Sequence, residues 1–374
     1  MNRLFSFSEI IGAAVPAAVF LSLATSLYAA PPDPLIDLGG GLSAVPGARV
    51  RNLEVFALLG KDQMREREYL SLSEALDRGA AKVMETGNVG ELSIENMTKD
   101  QYVLVQAGDI VKGGRQDRCF QTDLILPPRS GPQPISSFCV EHGRWSGRGA
   151  EESRVFAKSD KQLVTSAQRY AAKRAKDQGG VWNEVERSRK ALSDNTSKIA
   201  GKPVNVDGAA SPTSLQLALE NPDLAGAVKD IRSEIGKAFA KRTDVVGVAY
   251  AINGRLVNAE IYGQSELFSR MREKILDAAA TEAIAELPEG KAVFHAVGEK
   301  ELRTFLDFDG ILRVAGAKPN SQTETRESET EGRVLFDTRD VDYPKAWVHR
   351  NVIVAEGGEP TVKSDYESGY RRRR

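Results

Sequence analysis

Two short polar stretches carry much of the reactive side-chain chemistry in this sequence. The first, GGRQDR, runs from Gly113 to Arg118, and the second, SSFCVEHGRW, runs from Ser136 to Trp145. The planar N–H fork of an arginine suits carboxylate or phosphate groups. A carboxylate held near such a fork can act as a general base or help to hold a ligand. These stretches therefore contain the candidate site residues of the chain.

A cysteine nucleophile with a histidine base is one interpretation of the second stretch. Cys139 and His142 would have to lie within hydrogen-bond reach of each other. Side chains alternate between the two faces of a strand, so residues three positions apart point in opposite directions. The spacing therefore disfavours this catalytic pair. The histidines are scattered singly and show no ligand spacing, so we expect neither a metal nor a cofactor.

The elements that position these stretches are two predicted antiparallel strands, residues 119–126 and 135–141, joined by a proline-rich loop. In such a hairpin the start of the first strand lies beside the end of the second. We therefore expect one polar cluster, with Glu141 and Asp117 as candidate catalytic carboxylates. The expected ligand-binding residues are Gly113, Gly114, Arg115, Gln116, Asp117, Arg118, Glu141, Arg144 and Trp145. The alternative is a salt-bridge network that ties the hairpin to the segment after it.

The same two strands carry both cysteines of the chain, Cys119 and Cys139. An even cysteine count is compatible with a disulfide, and so is the export that the first thirty residues predict, as described below. We therefore expect a disulfide here. The alternative is a pair of free thiols, since the strand register decides whether the two side chains share a face.

Hydrophobic patterns along the chain place strands first, helices in the middle and strands again. Asn253–Gly254 predicts a two-residue hairpin turn, Ser71 predicts a helix cap, and Leu267, Met271 and Ile275 predict one face of an amphipathic helix. This order indicates an α+β fold with antiparallel-rich sheets and a central helical segment, and no Rossmann or P-loop unit.

Less regular segments complete the domain plan. A helix is expected from Ser159, with Gln162 completing its capping box, and its basic residues are expected to form a solvated face. Residues 318–332 are expected to form a polar loop. The expected organisation is a signal peptide (1–30), an extended lead-in (31–48), one α+β domain (49–356) and a disordered basic tail (357–374).

The first thirty residues combine a short basic start, a long uncharged run and small residues before a proline-rich break. This order is typical of a secretory signal peptide, so we expect a periplasmic or secreted protein without a membrane span in the mature chain. The alternative is a retained membrane anchor, because the uncharged run is almost long enough to cross a bilayer. The formal net charge of -1 gives no global basic field, so we expect no nucleic-acid partner.

In order, the motifs GGRQDR, SFCVEHGRW, VWNEV, SPTSL, AINGRLVNAEIYG and SELFSRM resemble the ARG-and-rhodanese-phosphatase-superfamily-associated protein domain, a bacterial domain family of unknown function. The resemblance covers about residues 45–290 and more weakly extends to about 355. The family pattern includes the two polar stretches. The matching residues are Gly113, Gly114, Gln116, Asp117, Arg118, Cys139, Glu141, Gly143, Arg144 and Trp145. The export signal and the insertion at 318–332 depart from that pattern.

The resemblance implies no established chemistry, although the family name hints at ADP-ribose or nucleotide metabolism. We expect an exported ligand-binding or interaction module whose polar hairpin end recognises a small anionic or sugar-like ligand. The alternative is a hydrolase for a nucleotide, ADP-ribose or sugar-like substrate, with Glu141 or Asp117 as the general base. The sequence leaves open whether the protein is an enzyme and names no protein partner.

Overall fold

The computed structural model describes residues 35–239, 242–290, 292–307, 311–330 and 332–355 of the chain. The expected signal peptide, the basic tail and the first residues of the expected lead-in lie outside these ranges. Within them, none of the helices has the length and apolar character that a membrane crossing requires.

The strands in the described ranges are short and mostly antiparallel. They are β1 (Ile36–Gly39), β2 (Leu42–Val50), β3 (Leu53–Leu59), β4 (Tyr69–Ser71), β5 (Ala81–Glu85), β6 (Glu91–Asn96), β7 (Tyr102–Val105), β8 (Asp109–Gly113), β9 (Arg118–Phe120), β10 (Leu124–Leu126), β11 (Gln133–Cys139), β12 (Val155–Leu163), β13 (Val245–Ile252), β14 (Arg255–Tyr262), β15 (Arg313–Ala317), β16 (Thr323–Thr330), β17 (Arg333–Asp340) and β18 (His349–Val354).

The helices are concentrated in the middle of the chain. They are α1 (Leu72–Asp77), α2 (Ser166–Tyr170), α3 (Gln178–Ala200), α4 (Leu215–Leu219), α5 (Pro222–Gly236), α6 (Ser265–Ala285) and α7 (Glu299–Leu306), with a π-helical turn at Ala171–Ala175 and a 3₁₀ turn at Lys237–Phe239. The predicted α+β class is therefore confirmed. Ser71 caps α1 through a complete capping box with Glu74, as the sequence predicts.

A nine-stranded sheet has the order β1-β2-β3-β13-β14-β18-β17-β16-β15, and its neighbouring strands pair antiparallel. Its central hairpin turns at Asn253 and Gly254, which have φ of 54° and 75°, as predicted. Every residue of β13 is buried because both faces of the sheet are covered. Helices α3, α5 and α6 cover one face, and α7 packs on the other.

Six strands close into a barrel in the order β11-β6-β5-β12-β8-β9, and a three-stranded sheet, β10-β7-β4, lies outside this ring. All six barrel strands contribute to one apolar cluster, which includes Val83, Ile94, Val111, Phe120 and Phe156. The cluster also includes residues of β4, β7 and β10, so the apolar side chains of the barrel pack together with those of the three-stranded sheet.

The helix expected from Ser159 is wrong in its starting point. Residues 155–163 form β12, and the helix begins at Ser166 with Thr165 and Gln168 as its capping box. The same capping signature occurs at both places in the sequence, and pairing of β12 with β8 and β5 favours the second. The expected solvated basic face is also wrong in part, because Arg169 is buried at 1% exposure.

Two expected irregular segments are strands in the structure. Within the polar segment at 318–332, Thr323–Thr330 forms β16 between β15 and β17. Its buried Thr323, Ser328 and Thr330 are polar, so their burial leaves no hydrophobic pattern in the sequence. Residues 36–39 and 42–50, assigned mostly to the lead-in, form β1 and β2 of the same sheet.

His349 forms the centre of a buried ionic network between the sheet and the barrel. Its Nδ1 lies 2.7 Å from Asp123 Oδ2, and its Nε2 lies 2.7 Å from Glu260 Oε2. Arg169 donates to the other oxygen of Glu260, and Lys173 Nζ lies 3.6 Å from Asp123 Oδ1. Two carboxylates on one imidazole require a proton on each ring nitrogen, so the ring is a cation.

This network sets opposite pH limits on stability. Burial alone would lower the pKa of His349, but the charge and hydrogen bond of Asp123 and those of Glu260 raise it above 6.5. Burial would raise the pKa of Glu260, but Arg169 and His349 hold it at about 2. The His349 contribution is complete below its unfolded pKa and is lost as the pH rises through the raised value. The Glu260 contribution is complete above its unfolded pKa and is lost as the pH falls toward 2.

We predict that His349→Leu lowers the free energy of unfolding by about 3–5 kcal/mol near pH 6, because the buried carboxylates of Asp123 and Glu260 each lose one of their two cationic partners. Urea denaturation across a pH series measures this, with the exposed His295→Leu as the matched control. The wild-type protein should lose stability on the alkaline side, and the variant should lack that loss. Equal alkaline slopes in the two proteins would contradict the assignment.

Candidate functional site

The predicted hairpin of residues 119–126 and 135–141 is correct at one end only, because β9 pairs with β11 whereas β10 pairs with β7 in another sheet. The two polar stretches meet at the end where β9 and β11 pair. The backbone N–H of Asp117 donates to Glu141 Oε2 at 2.9 Å, and both carboxylates are fully buried. Strands β9 and β11 pair antiparallel with Arg118 opposite Cys139, so Asp117 and Val140 continue the ladder one step further. The strand geometry therefore brings the two candidate catalytic carboxylates together, as the sequence predicts.

Glu141 is held by Arg144 in a bidentate ion pair. Arg144 Nε donates to Glu141 Oε1 at 2.7 Å, and Nη2 donates to Oε2 at 2.8 Å. The same guanidinium donates to the carbonyl oxygens of Gly113 and Gly114 at 3.2 and 3.0 Å. Burial alone would raise the pKa of Glu141, but the hydrogen bonds from Arg144 and other donors outweigh it and hold the pKa below its ordinary value. This carboxylate is therefore ionised and fully engaged.

Asp117 is held by two residues that the sequence analysis does not single out. Arg148 donates to both of its oxygens, at 2.9 and 3.1 Å, and Ser214 Oγ donates to Oδ2 at 2.7 Å. Ser214 also caps α4 by accepting from the N–H of Leu217. A cap residue is a sequence signal for Ser214, but its contact with a residue 97 positions away has no local signal.

Arg118 differs from these arginines because it enters the barrel. It lies opposite Val111 and two residues from Phe120, and both of these belong to the apolar barrel cluster. Its side chain is fully buried, and Nη1 donates to Cys139 Sγ. Within the described residues, Nε and Nη2 have no hydrogen-bond partner. These two atoms form the edge of the guanidinium that binds two oxygens of one anion.

The surroundings of the Arg118 edge are polar. Ser137 faces the same side of β11 as Cys139, and its fully buried Oγ also has no hydrogen-bond partner among the described residues. Glu85 Oε1 lies 3.7 Å from Arg118 Nη2, which is beyond hydrogen-bond distance, and accepts from the N–H of Arg115 at 3.0 Å. The barrel therefore contains a charged donor pair and a hydroxyl at its polar end.

The predicted disulfide is wrong, because Cys119 and Cys139 are both free and buried. Cys119 lies opposite Phe138, whereas Cys139 lies opposite Arg118. Residues opposite each other share a face, and adjacent residues on a strand do not. The register therefore sends Cys139 into the barrel and Cys119 toward the helices. Burial raises the pKa of Cys119 to about 12 and also raises that of Cys139.

The remaining predicted residues lie at the edge of this cluster. Arg115 is exposed, Gln116 is buried, and Trp145 is 53% exposed. The aromatic contact comes instead from Trp182, whose Nε1 donates to the carbonyl oxygen of Glu141 at 3.2 Å. Trp182 lies on α3, and Gln178 at the start of α3 bonds the backbone of Cys139 in both directions. The hairpin end therefore fixes the first turns of α3.

Among the described residues, no group of three or more His, Cys, Asp or Glu side chains could hold a metal ion. The candidate histidine His142 is exposed and lies edge-on against Trp182, with 4.6 Å between the ring centroids.

The fold and site define an α+β protein in which arginine–carboxylate pairs close the end of a six-stranded barrel. The chain belongs to the ARG and Rhodanese-Phosphatase-superfamily-associated Protein domain family, whose model matches residues 41–353. This confirms the resemblance drawn from the order of the motifs. No curated protein and no solved structure matches the chain.

We predict that Glu141→Gln lowers the free energy of unfolding by about 3–5 kcal/mol, because Arg144 loses the carboxylate that neutralises it. Denaturant unfolding near neutral pH measures this. Glu152→Gln changes an exposed residue of the same connection between β11 and β12, and this matched control should stay within about 0.5 kcal/mol of the wild type. A similar small effect in both variants would show that the pair does not stabilise the fold.

Proposed function

We propose that this family member is a ligand-binding module that holds a small oxyanion, a carboxylate or a phosphate, at the polar end of the barrel. The observation that carries the proposal is the fully buried Arg118, whose Nε and Nη2 have no hydrogen-bond partner among the described residues. Glu85 at 3.7 Å balances the charge of Arg118 but does not bond these two atoms. Buried donors without a hydrogen-bond partner cost free energy, and native proteins nearly always satisfy them. A bidentate oxyanion satisfies both atoms at once.

Other groups in the cluster support this choice of ligand. Ser137 Oγ lies on the inward face beside Cys139 and supplies a third hydrogen-bond group. Arg144 and Arg148 are neutralised by Glu141 and Asp117, so they do not compete for the ligand. The complete burial of Arg118 and Ser137 limits the ligand to a small anion, or to one small anionic group of a larger molecule.

Glycine is required where the loop crosses the barrel end. Gly114 has φ of 56°, and a Cβ at this position would lie 2.8 Å from Glu85 Oε1 and closer still to the ring of Phe156. At this point the backbone lies so close to Phe156 and to Glu85, a neighbour of Arg118, that only glycine fits. This requirement supports a tightly closed binding site at the GGRQDR stretch.

Hydrolysis of a nucleotide, ADP-ribose or sugar-like substrate is the alternative proposal, with Asp117 or Glu141 as the base. Each of the four carboxylate oxygens already accepts at least one hydrogen bond from an arginine, Ser214 or a backbone N–H. A general base at either position would first have to break a buried ion pair. The geometry therefore supports binding more strongly than hydrolysis.

We predict that Arg118→Lys weakens the binding of inorganic phosphate or acetate at least about tenfold, because an ammonium cannot form the two parallel hydrogen bonds. Isothermal titration calorimetry on the folded full chain measures this, and Arg115→Lys is the matched exposed control. Equal affinity in the two variants, or no phosphate or acetate binding by the wild type, would overturn the proposal. Turnover of phosphorylated or ADP-ribosylated compounds that Glu141→Gln abolishes would favour hydrolysis instead.

We further propose that the chain is exported, on the basis of the basic start and the uncharged run in residues 1–30. We predict that the protein from the periplasm or medium of a bacterial host lacks about 26–30 N-terminal residues, since small residues end that run. Mass spectrometry of the fractionated protein measures this. Full-length protein in the membrane fraction would indicate a retained anchor, and full-length protein in the cytoplasm would contradict export.

A further inference from the structure

A cavity of about 560 Å³ lies away from the barrel end, between α2, α3, α6 and the β13–β14 hairpin. Its volume is typical of a small-molecule site. Its lining combines polar residues with an apolar wall that includes Tyr170, Ile252, Leu256 and Val257. Glu282, on α6, lines this cavity although only 9% of it is exposed.

Glu282 forms a triangle of oxygen atoms with Ser166 and Tyr250. Ser166 Oγ lies 2.9 Å from Glu282 Oε2 and 2.9 Å from the Tyr250 hydroxyl, which lies 3.0 Å from Glu282 Oε2. All three contacts can be hydrogen bonds at the same time only when the carboxyl also carries a proton, because the two hydroxyl groups supply two protons. A proton on Glu282 therefore completes the triangle.

The environment of Glu282 agrees with this neutral form. Burial raises the pKa of Glu282 and outweighs the hydrogen bonds from Ser166 and Tyr250 and the charge of Arg169. Within the described residues, hydrogen bonds to this carboxyl reach Oε2 alone. Oε1 is therefore the oxygen available to a ligand. The charged and titratable groups near Glu282 or on the cavity lining are Arg169, Tyr170, Tyr250, Glu184, Arg187, Glu286 and Arg255.

We propose that this cavity is a second binding site, for a primary amine that carries an apolar group. The ammonium would donate to Glu282 Oε1, and the apolar group would lie along Tyr170, Ile252 and Leu256. A charge-assisted hydrogen bond is roughly twice as strong as a neutral one, so an amine has an advantage over an alcohol of the same shape.

With Glu282 protonated, the lining carries two carboxylates and two guanidinium groups, so its charges balance. When Glu282 ionises, a bound ammonium restores this balance. Three glutamates and two arginines line the cavity, and Arg187 lies 2.5 Å from Glu184 and 3.7 Å from Glu286. The charge of Arg187 is thus already neutralised by these two glutamates. The bound ammonium replaces the positive charge of the carboxyl proton, so binding transfers one proton from Glu282 to solvent.

We predict that 2-phenylethylamine binds the folded full chain at least about tenfold more tightly than 2-phenylethanol, which has the same shape and no charge. Isothermal titration calorimetry in two buffers of different ionisation enthalpy should show proton release on binding of the amine at mildly acidic pH. The alcohol should bind without proton release.

Glu282→Gln tests the residue itself, and Glu186→Gln on the exposed side of α3 is the matched control. The Glu282→Gln protein should lose the preference for the amine and the proton release, whereas the control should keep both. Equal binding of the two compounds by the wild type, no binding of the amine, or proton release that persists in Glu282→Gln would overturn the proposal. If Glu282→Gln does not fold, the comparison of 2-phenylethylamine with 2-phenylethanol on the wild-type protein still tests the proposal.

Discussion

The pairing of Arg118 with Cys139 across β9 and β11 determines which side chains enter the barrel. This register directs Arg118, Ser137 and Cys139 inward and leaves Cys119 on the outer face. A shift by one residue would exchange the two sets, because neighbouring side chains on a strand face opposite ways. The ion pairs of Asp117 and Glu141 lie immediately beyond this ladder and hold the register in place.

Helix α3 connects the two proposed sites. Its first turns bind the hairpin end through Gln178 and Trp182, and its next turn contributes Glu184 and Arg187 to the cavity. The His349 network joins the same region to the sheet, since Arg169 contacts Glu260 and lies one turn after Ser166. Buried hydrogen-bonded networks of this kind help to fix the arrangement of packed elements. The two proposed sites therefore share one structural frame.

Local signals in the sequence predict several elements correctly, and each has a short-range physical cause. Asn253–Gly254 accepts the positive φ of its turn, Ser71 caps α1, and Leu267, Met271 and Ile275 form the buried face of α6. The meeting of Asp117 with Glu141 also follows from hairpin geometry. These predictions need no knowledge of distant partners.

Long-range contacts account for what the sequence does not predict. The strand register, which excludes the disulfide, has no local signature. Arg148 and Ser214 reach Asp117 through the tertiary fold, and Glu282 meets Ser166 across 116 positions. Arg169 is buried although it is charged, because it pairs with Glu260. Strand β16 forms although its sequence is polar, because its backbone hydrogen-bonds to β17.

We have proposed that the Nε–Nη2 edge of Arg118 holds an oxyanion inside the barrel. Anomalous diffraction from crystals of the full chain grown with selenate, a tetrahedral oxyanion that scatters strongly, tests this proposal. We expect a selenium peak whose oxygens lie within hydrogen-bond distance of Arg118 Nε and Nη2 and near Ser137 Oγ. Density showing the Glu85 carboxylate bonded to both of these nitrogens, with no anion beside them, would contradict it.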